Sequence, residues 1–160
     1  MDTLQPNMLK YENYKEQFKR LKRALVEGFN LEAIFIEYAI MEDRTESILK
    51  HADMWDAYIK KRKGHNLSIE SKIDYIKKIA ENKKDISHKY FSDTLLDDIL
   101  VWKEERNRLV HALLKQQLQH NELHELAIKG NDLLNALRNR SGNYCRAIER
   151  RKSKDNHRVD

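Results

Sequence analysis

Apolar residues recur at three- and four-residue steps through Leu9, Tyr14, Phe18, Leu21 and Leu25, until Gly28 interrupts them. That period belongs to an amphipathic helix and predicts one from about Asn7 to Glu27. Asn30 is placed to cap a second helix, Leu31 to about Ala52, whose apolar side reads Leu31, Ile34, Phe35, Tyr38, Met41, Ile48 and Leu49. The pattern continues or restarts through Trp55 and Tyr58 to the basic run 60–63, where Gly64 would stop it. Ser68 can cap a third helix carrying Ile69, Ile73, Ile76 and Ile79, and a loop containing Tyr90 and Phe91 is expected after it. A fourth helix is predicted from Thr94 to about Gln119, and a fifth, capped by Asn121, runs past Leu134 and Leu137 toward Ile148.

Four Gly and one Pro in 160 residues leave too few turn formers for a sandwich or barrel. The fold class expected is therefore all-α, an antiparallel bundle of about five helices forming one domain over residues 1–150. Residues 151–160 read as a basic tail without regular structure. No disulfide can form within a chain whose only cysteine is Cys145. The N-terminus lacks a signal-peptide pattern, and the longest apolar stretch, Leu31 to Met41, contains Glu32 and Glu37. A bilayer needs about 20 apolar residues, so no membrane partner is expected and the location expected is cytoplasmic.

Charge is distributed unevenly. Of 31 basic and 26 acidic residues, eight basic and three acidic ones fall within 138–160, leaving 23 of each sign elsewhere. Arg150, Arg151 and Lys152 lie in that segment and are candidate contacts for an anionic polymer, as is Arg108.

On a wheel of about 100° per residue, Leu95, Ile99, Leu100, Trp102, Leu109, Val110, Leu113 and Leu114 share one arc of the fourth helix, with Arg106 near its middle. An unpaired guanidinium is costly to bury, so a carboxylate, a cleft or a second subunit must meet it. Glu42, on the apolar side of the second helix, is the natural counter-ion.

Around that arginine the chain reads Trp102-Lys-Glu-Glu-Arg106-Asn107-Arg108-Leu-Val-His111. An Arg followed after four to six residues by a His, with a polar residue directly after the Arg, resembles the motif of the HEPN domain family. Similar spacings occur at Arg44 with His51, and at Arg150 or Arg151 with His157, but only Arg106 adds the Asn and the apolar pair before His111. The resemblance implies a small helical bundle acting as a metal-independent endoribonuclease on single-stranded RNA, with a site formed where two subunits of a homodimer meet. It also implies a toxin or antiphage role, with an antitoxin or other neutralising protein as partner. One toxin subgroup carries a Tyr two residues after the His, where this chain has Leu113.

The residue types suit that chemistry. Transesterification of RNA needs a base for the 2′-hydroxyl proton and a cation for the charge growing on phosphate. His111 and Arg106 supply those groups, while Asn107 is placed to orient a phosphate or the imidazole. Arg106 and His111 nevertheless diverge by about 140° around an ideal helix, which a dimer or a local distortion would resolve. No metal or cofactor is expected: His120 and His124 have helical ligand spacing, but the capping Asn121 would exclude His120 from the helix and no third ligand is evident. Trp55 and Trp102 read as packing residues, and Cys145 as a small, partly buried side chain. Two alternatives remain open: a non-catalytic helical module binding RNA or protein, and a bundle in which Arg106 and Glu42 form a closed interior pair.

Overall fold

The first helix, α1 (Pro6–Glu27), ends where Gly28 takes a left-handed backbone with φ of 77°, and the Phe29 amide closes the turn on the Ala24 carbonyl. Helix α2 (Asn30–His51) follows at once, then α3 (Trp55–Arg62), α4 (Ile69–Ala80), α5 (Ile86–Phe91), α6 (Leu95–Ala112) and α7 (His120–Asn156). This computed structural model describes residues 6–63, 67–113, 115 and 120–156, and among them no strand occurs. The all-α class holds, with seven described helices where five were expected.

The departures have local causes. Residues expected as a loop form α5: Asp85 accepts the Ser87 amide at 2.8 Å as an N-cap, and His88 Nδ1 meets the Ala80 carbonyl at 2.7 Å. Helix α3 is separate from α2 because Asp53 adopts φ of 57° between them. It ends on Lys63, itself left-handed; Gly64 lies outside the described residues, as does the expected end of the fourth helix at Gln119. Helix α7 starts at His120, so Asn121 is inside it rather than capping it. At its other end α7 continues to Asn156, making residues 151–156 helical instead of an irregular tail.

By its internal contacts the chain divides into two compact units, each assembled from separated segments. Unit one comprises residues 1–40 and 102–131. Its interior holds Leu21 and Ala24 of α1, Ala33, Ile34 and Ile40 of α2, Trp102 and Leu109 of α6, and Leu126 and Ala127 of α7. Unit two comprises residues 41–101 and 132–160. There α4 packs on α5, and Ile73, Ile76, Phe91, Leu96, Ile99, Leu134 and Tyr144 are buried.

Unit two carries its polar interior on ion pairs and short networks. The Ser68 hydroxyl accepts the Ser71 amide, the Ser71 hydroxyl donates to the Ser68 carbonyl at 2.9 Å, and the same hydroxyl meets the buried Tyr58 phenol. Lys72, only 4% exposed, sets its ammonium 3.4 Å from Glu46 and 3.8 Å from Glu42. Burial alone would raise the Glu46 pKa, but the hydrogen bond and charge of Lys50, reinforced by Lys72, hold it below the ordinary value. Asp93 is likewise held down by its hydrogen bond from Arg140.

Both carboxylates titrate lower in the folded chain than in the unfolded one. Their contribution is thus present above the unfolded pKa, near 4, and is lost as pH falls through the folded values. Chemical denaturation from pH 7 down to pH 2 is expected to show stability declining below about pH 4. The double variant Glu46→Gln, Asp93→Asn should start less stable at pH 7 and decline less steeply.

Candidate functional site

Unit one contains the motif helix segment, and its geometry begins at Trp102. This indole is wholly buried, and its Nε1–H donates to the Leu126 carbonyl at 2.9 Å. Gly130, one turn further along α7, presents its bare Cα to the same ring and to the Glu37 carboxylate. A β-carbon added there would lie 2.7 Å from the Trp102 ring and closer still to Glu37 Oε2. The helices approach this closely because one of them lacks a side chain.

Glu37, at 0% exposure, is the acidic residue that α2 buries, whereas Glu42 is half-buried and faces Lys72. The wheel expected for α2 is therefore rotated. Ala33, Ile34, Glu37, Ile40, Met41, Ile48 and Leu49 turn inward, while Phe35 remains 54% exposed. Counting Phe35 and Tyr38 as core residues displaced the arc; both flank the interior stripe instead.

Those two rings meet Arg106. Its guanidinium carbon lies 4.5 Å from the Tyr38 ring centroid and 5.2 Å from that of Phe35. Nη1 donates to Asn107 Oδ1 at 2.9 Å, and Nε is buried without a hydrogen-bond partner among the described residues. Arg106 is half-buried rather than central to the buried arc, which carries Lys103 alongside Trp102 and Leu109. The expected Glu42 counter-ion is replaced, for Arg106, by aromatic faces and a carboxamide. Such an arrangement holds the cation without neutralising it.

His111 is exposed on the last turn of α6, five residues beyond Arg106. Helix α6 stays α-helical through both, so the divergence of about 140° is not relieved by a distortion. Arg108 is exposed and 3.9 Å from Glu122, a surface pair of small energetic weight. His124, which α7 now places in one helix with His120, donates from Nδ1 to Asn30 Oδ1 at 3.2 Å, so that carboxamide oxygen serves a histidine. Among the described residues no three His, Cys, Asp or Glu side chains gather as metal ligands.

In unit two, Arg150 and Arg151 are exposed, but Lys152 is engaged. Its ammonium lies 2.5 Å from Asp53 and donates to the His51 carbonyl at 3.0 Å, closing the C-terminus of α2. The lysine expected to contact RNA thus has a structural partner. Burial pushes the Cys145 thiol upward in pKa, keeping it protonated, consistent with an inert, partly buried side chain. Among the described residues, no helix is long and apolar enough to cross a membrane. No protein-family model, curated protein or solved structure matches this chain.

Two glycines of α7 separate the effect of close packing from that of helix propensity. Gly130→Ala is expected to destabilise by about 1–3 kcal/mol because Trp102 or Glu37 must move. Gly142→Ala, whose added carbon would meet Arg146 at an ordinary 3.6 Å, is expected to stabilise by about 0.5–1 kcal/mol. Denaturant midpoints of the two variants should shift in opposite directions.

Proposed function

We propose that this protein is a metal-independent endoribonuclease of the HEPN type, acting on single-stranded RNA. The observation that carries the reading is the Arg106 guanidinium, stacked on Phe35 and Tyr38 and bonded to the neutral carboxamide of Asn107. A cation held in place by uncharged groups is preorganised for a phosphate. The half-exposed Phe35 ring beside it offers an unpaired base a stacking face, which a paired base within a duplex does not need.

In the proposed reaction a histidine base takes the proton from the 2′-hydroxyl, and the 2′-oxygen attacks phosphorus. The bond from phosphorus to the 5′-oxygen then breaks, and that oxygen takes the proton back from the same imidazole. Arg106 balances charge on the non-bridging oxygens, with Asn107 holding its plane. His111 diverges from Arg106 along an undistorted helix, which supports a site composed from two copies of the chain.

Purified protein is expected to cleave single-stranded RNA in EDTA, leaving 2′,3′-cyclic phosphate and 5′-hydroxyl ends. His111→Ala should lose about a hundredfold or more in rate while remaining folded and retaining RNA binding. Mixing inactive Arg106→Ala and His111→Ala chains should restore cleavage, since half the composite sites in a heterodimer are intact. A His111→Ala variant as active as the parent would remove the ribonuclease reading and leave a binding module.

The exposed arginines give a separate expectation for affinity. Replacing Arg150 and Arg151 by Ala should reduce the slope of log binding constant against log salt by about 0.7 for each phosphate that is no longer neutralised. Filter binding of a single-stranded oligonucleotide across a salt series measures it.

A further inference from the structure

Unit two has a cavity of about 410 Å³ where the end of α5 and the turn into α6 face the middle of α7. Its lining includes Lys89, Tyr90, Ser92, Asp93, Asn139, Arg140 and Asn143. That volume suits a small molecule. Its chemistry is mixed: two cations, one of them paired with the Asp93 carboxylate, hydroxyl and carboxamide groups, and one aromatic ring.

The cationic side is prepared in advance. Arg140 Nη1 donates to Asp93, whose same oxygen accepts the Leu95 amide at 3.3 Å at the start of α6. The guanidinium is thus fixed by a carboxylate already tied to backbone, and a guanidinium has five N–H donors. Lys89 places its ammonium 5.7 Å from the Tyr90 ring centroid, bringing a second cation to the aromatic wall.

The ring is held as well. Tyr90 packs edge-on against the buried Tyr144 at 5.6 Å and 69°, and Phe91 also packs against Tyr144 at 5.1 Å. Asn139 and Asn143 follow at a four-residue step on one face of α7. The Asn143 oxygen accepts from Arg146 at 2.7 Å, which orients its amide group, while Asn139 is exposed. Phosphate alone would leave the ring and the carboxamides without a role, and an uncharged aromatic would leave the Lys89 ammonium without one.

We propose that this cavity binds a nucleotide, with its phosphate at Lys89 and Arg140, its flat base against Tyr90 and the base edge at Asn139 and Asn143. The nucleotide is either free or the 5′-terminal unit of a nucleic-acid chain. This inference is independent of the ribonuclease reading.

Calorimetric titration of the full chain with AMP is expected to show saturable binding, about tenfold or more tighter than adenosine or inorganic phosphate. Lys89→Ala and Asn139→Asp change exposed side chains, and each should weaken AMP binding about tenfold with an unchanged melting curve. His111→Ala should bind AMP as the parent does. A 5′-phosphorylated DNA tetranucleotide, which lacks the attacking 2′-hydroxyl, identifies the source. Binding tighter than AMP, and abolished without the 5′-phosphate, assigns the site to a chain end; exclusion of the tetranucleotide assigns it to free nucleotides. No saturable binding of AMP at millimolar concentration, equal affinity for AMP and adenosine, or affinity unchanged in both variants would overturn the proposal.

Discussion

The packing of Gly130 against Trp102 and Glu37 is the constraint on which unit one depends. An indole occupies the interior, its N–H satisfied by a helix carbonyl, and α7 approaches it only because no β-carbon intervenes. Turning Trp102 inward fixes the rotation of α6, and Arg106 follows one turn later at the rim of the buried face. Turning Glu37 inward fixes α2 in the same way, so that Phe35 and Tyr38, on either side of it in sequence, become the rings that receive the guanidinium. The position of the candidate phosphate-binding cation is therefore set by packing in the interior.

The chain accommodates partly buried cations in two different ways. Lys72 meets Glu46 and Glu42, and there charge is balanced locally. Arg106 is stabilised by ring faces and a carboxamide, which supply attraction but no compensating charge. Lysine would serve poorly there, since a strongly hydrated ammonium gives up more water to lie against a ring and has no plane to stack. The contrast separates cations that hold helices together from a cation available to an anion.

Much of the fold could be read from spacing. Long apolar periods located α1, α2, α4, α6 and α7, and Ser68 caps α4 as its position implied. The six residues of α5 are too few for a period to emerge, and the cue was local: Asp85 two residues before the amide it accepts. Asn121 looked like a cap because asparagine commonly is one, but α7 begins a residue earlier. Arg106, Asn107 and His111 were legible as a motif. Their surroundings were not, because an aromatic residue reads as core on a wheel whether it is buried or stacked on a cation. Lys89 and Tyr90 are also distant in sequence from Asn139 and Arg140, and no helical period connects them.

Each compact unit is discontinuous in sequence, and three helices, α2, α6 and α7, contribute residues to both. Synthesis proceeds from the N-terminus, so unit one lacks Trp102 and Gly130 until α7 is under way, and unit two receives its last buried residues later still. During that interval the apolar stripes of α1, α2 and α4 have no complete interior to enter. Pairings such as Lys152 with His51 close over nearly two-thirds of the chain, and such non-local contacts cost loop entropy before they form. Neither unit can be isolated by cutting the chain at a single point: any contiguous fragment contains pieces of both interiors, or one interior with a strip missing.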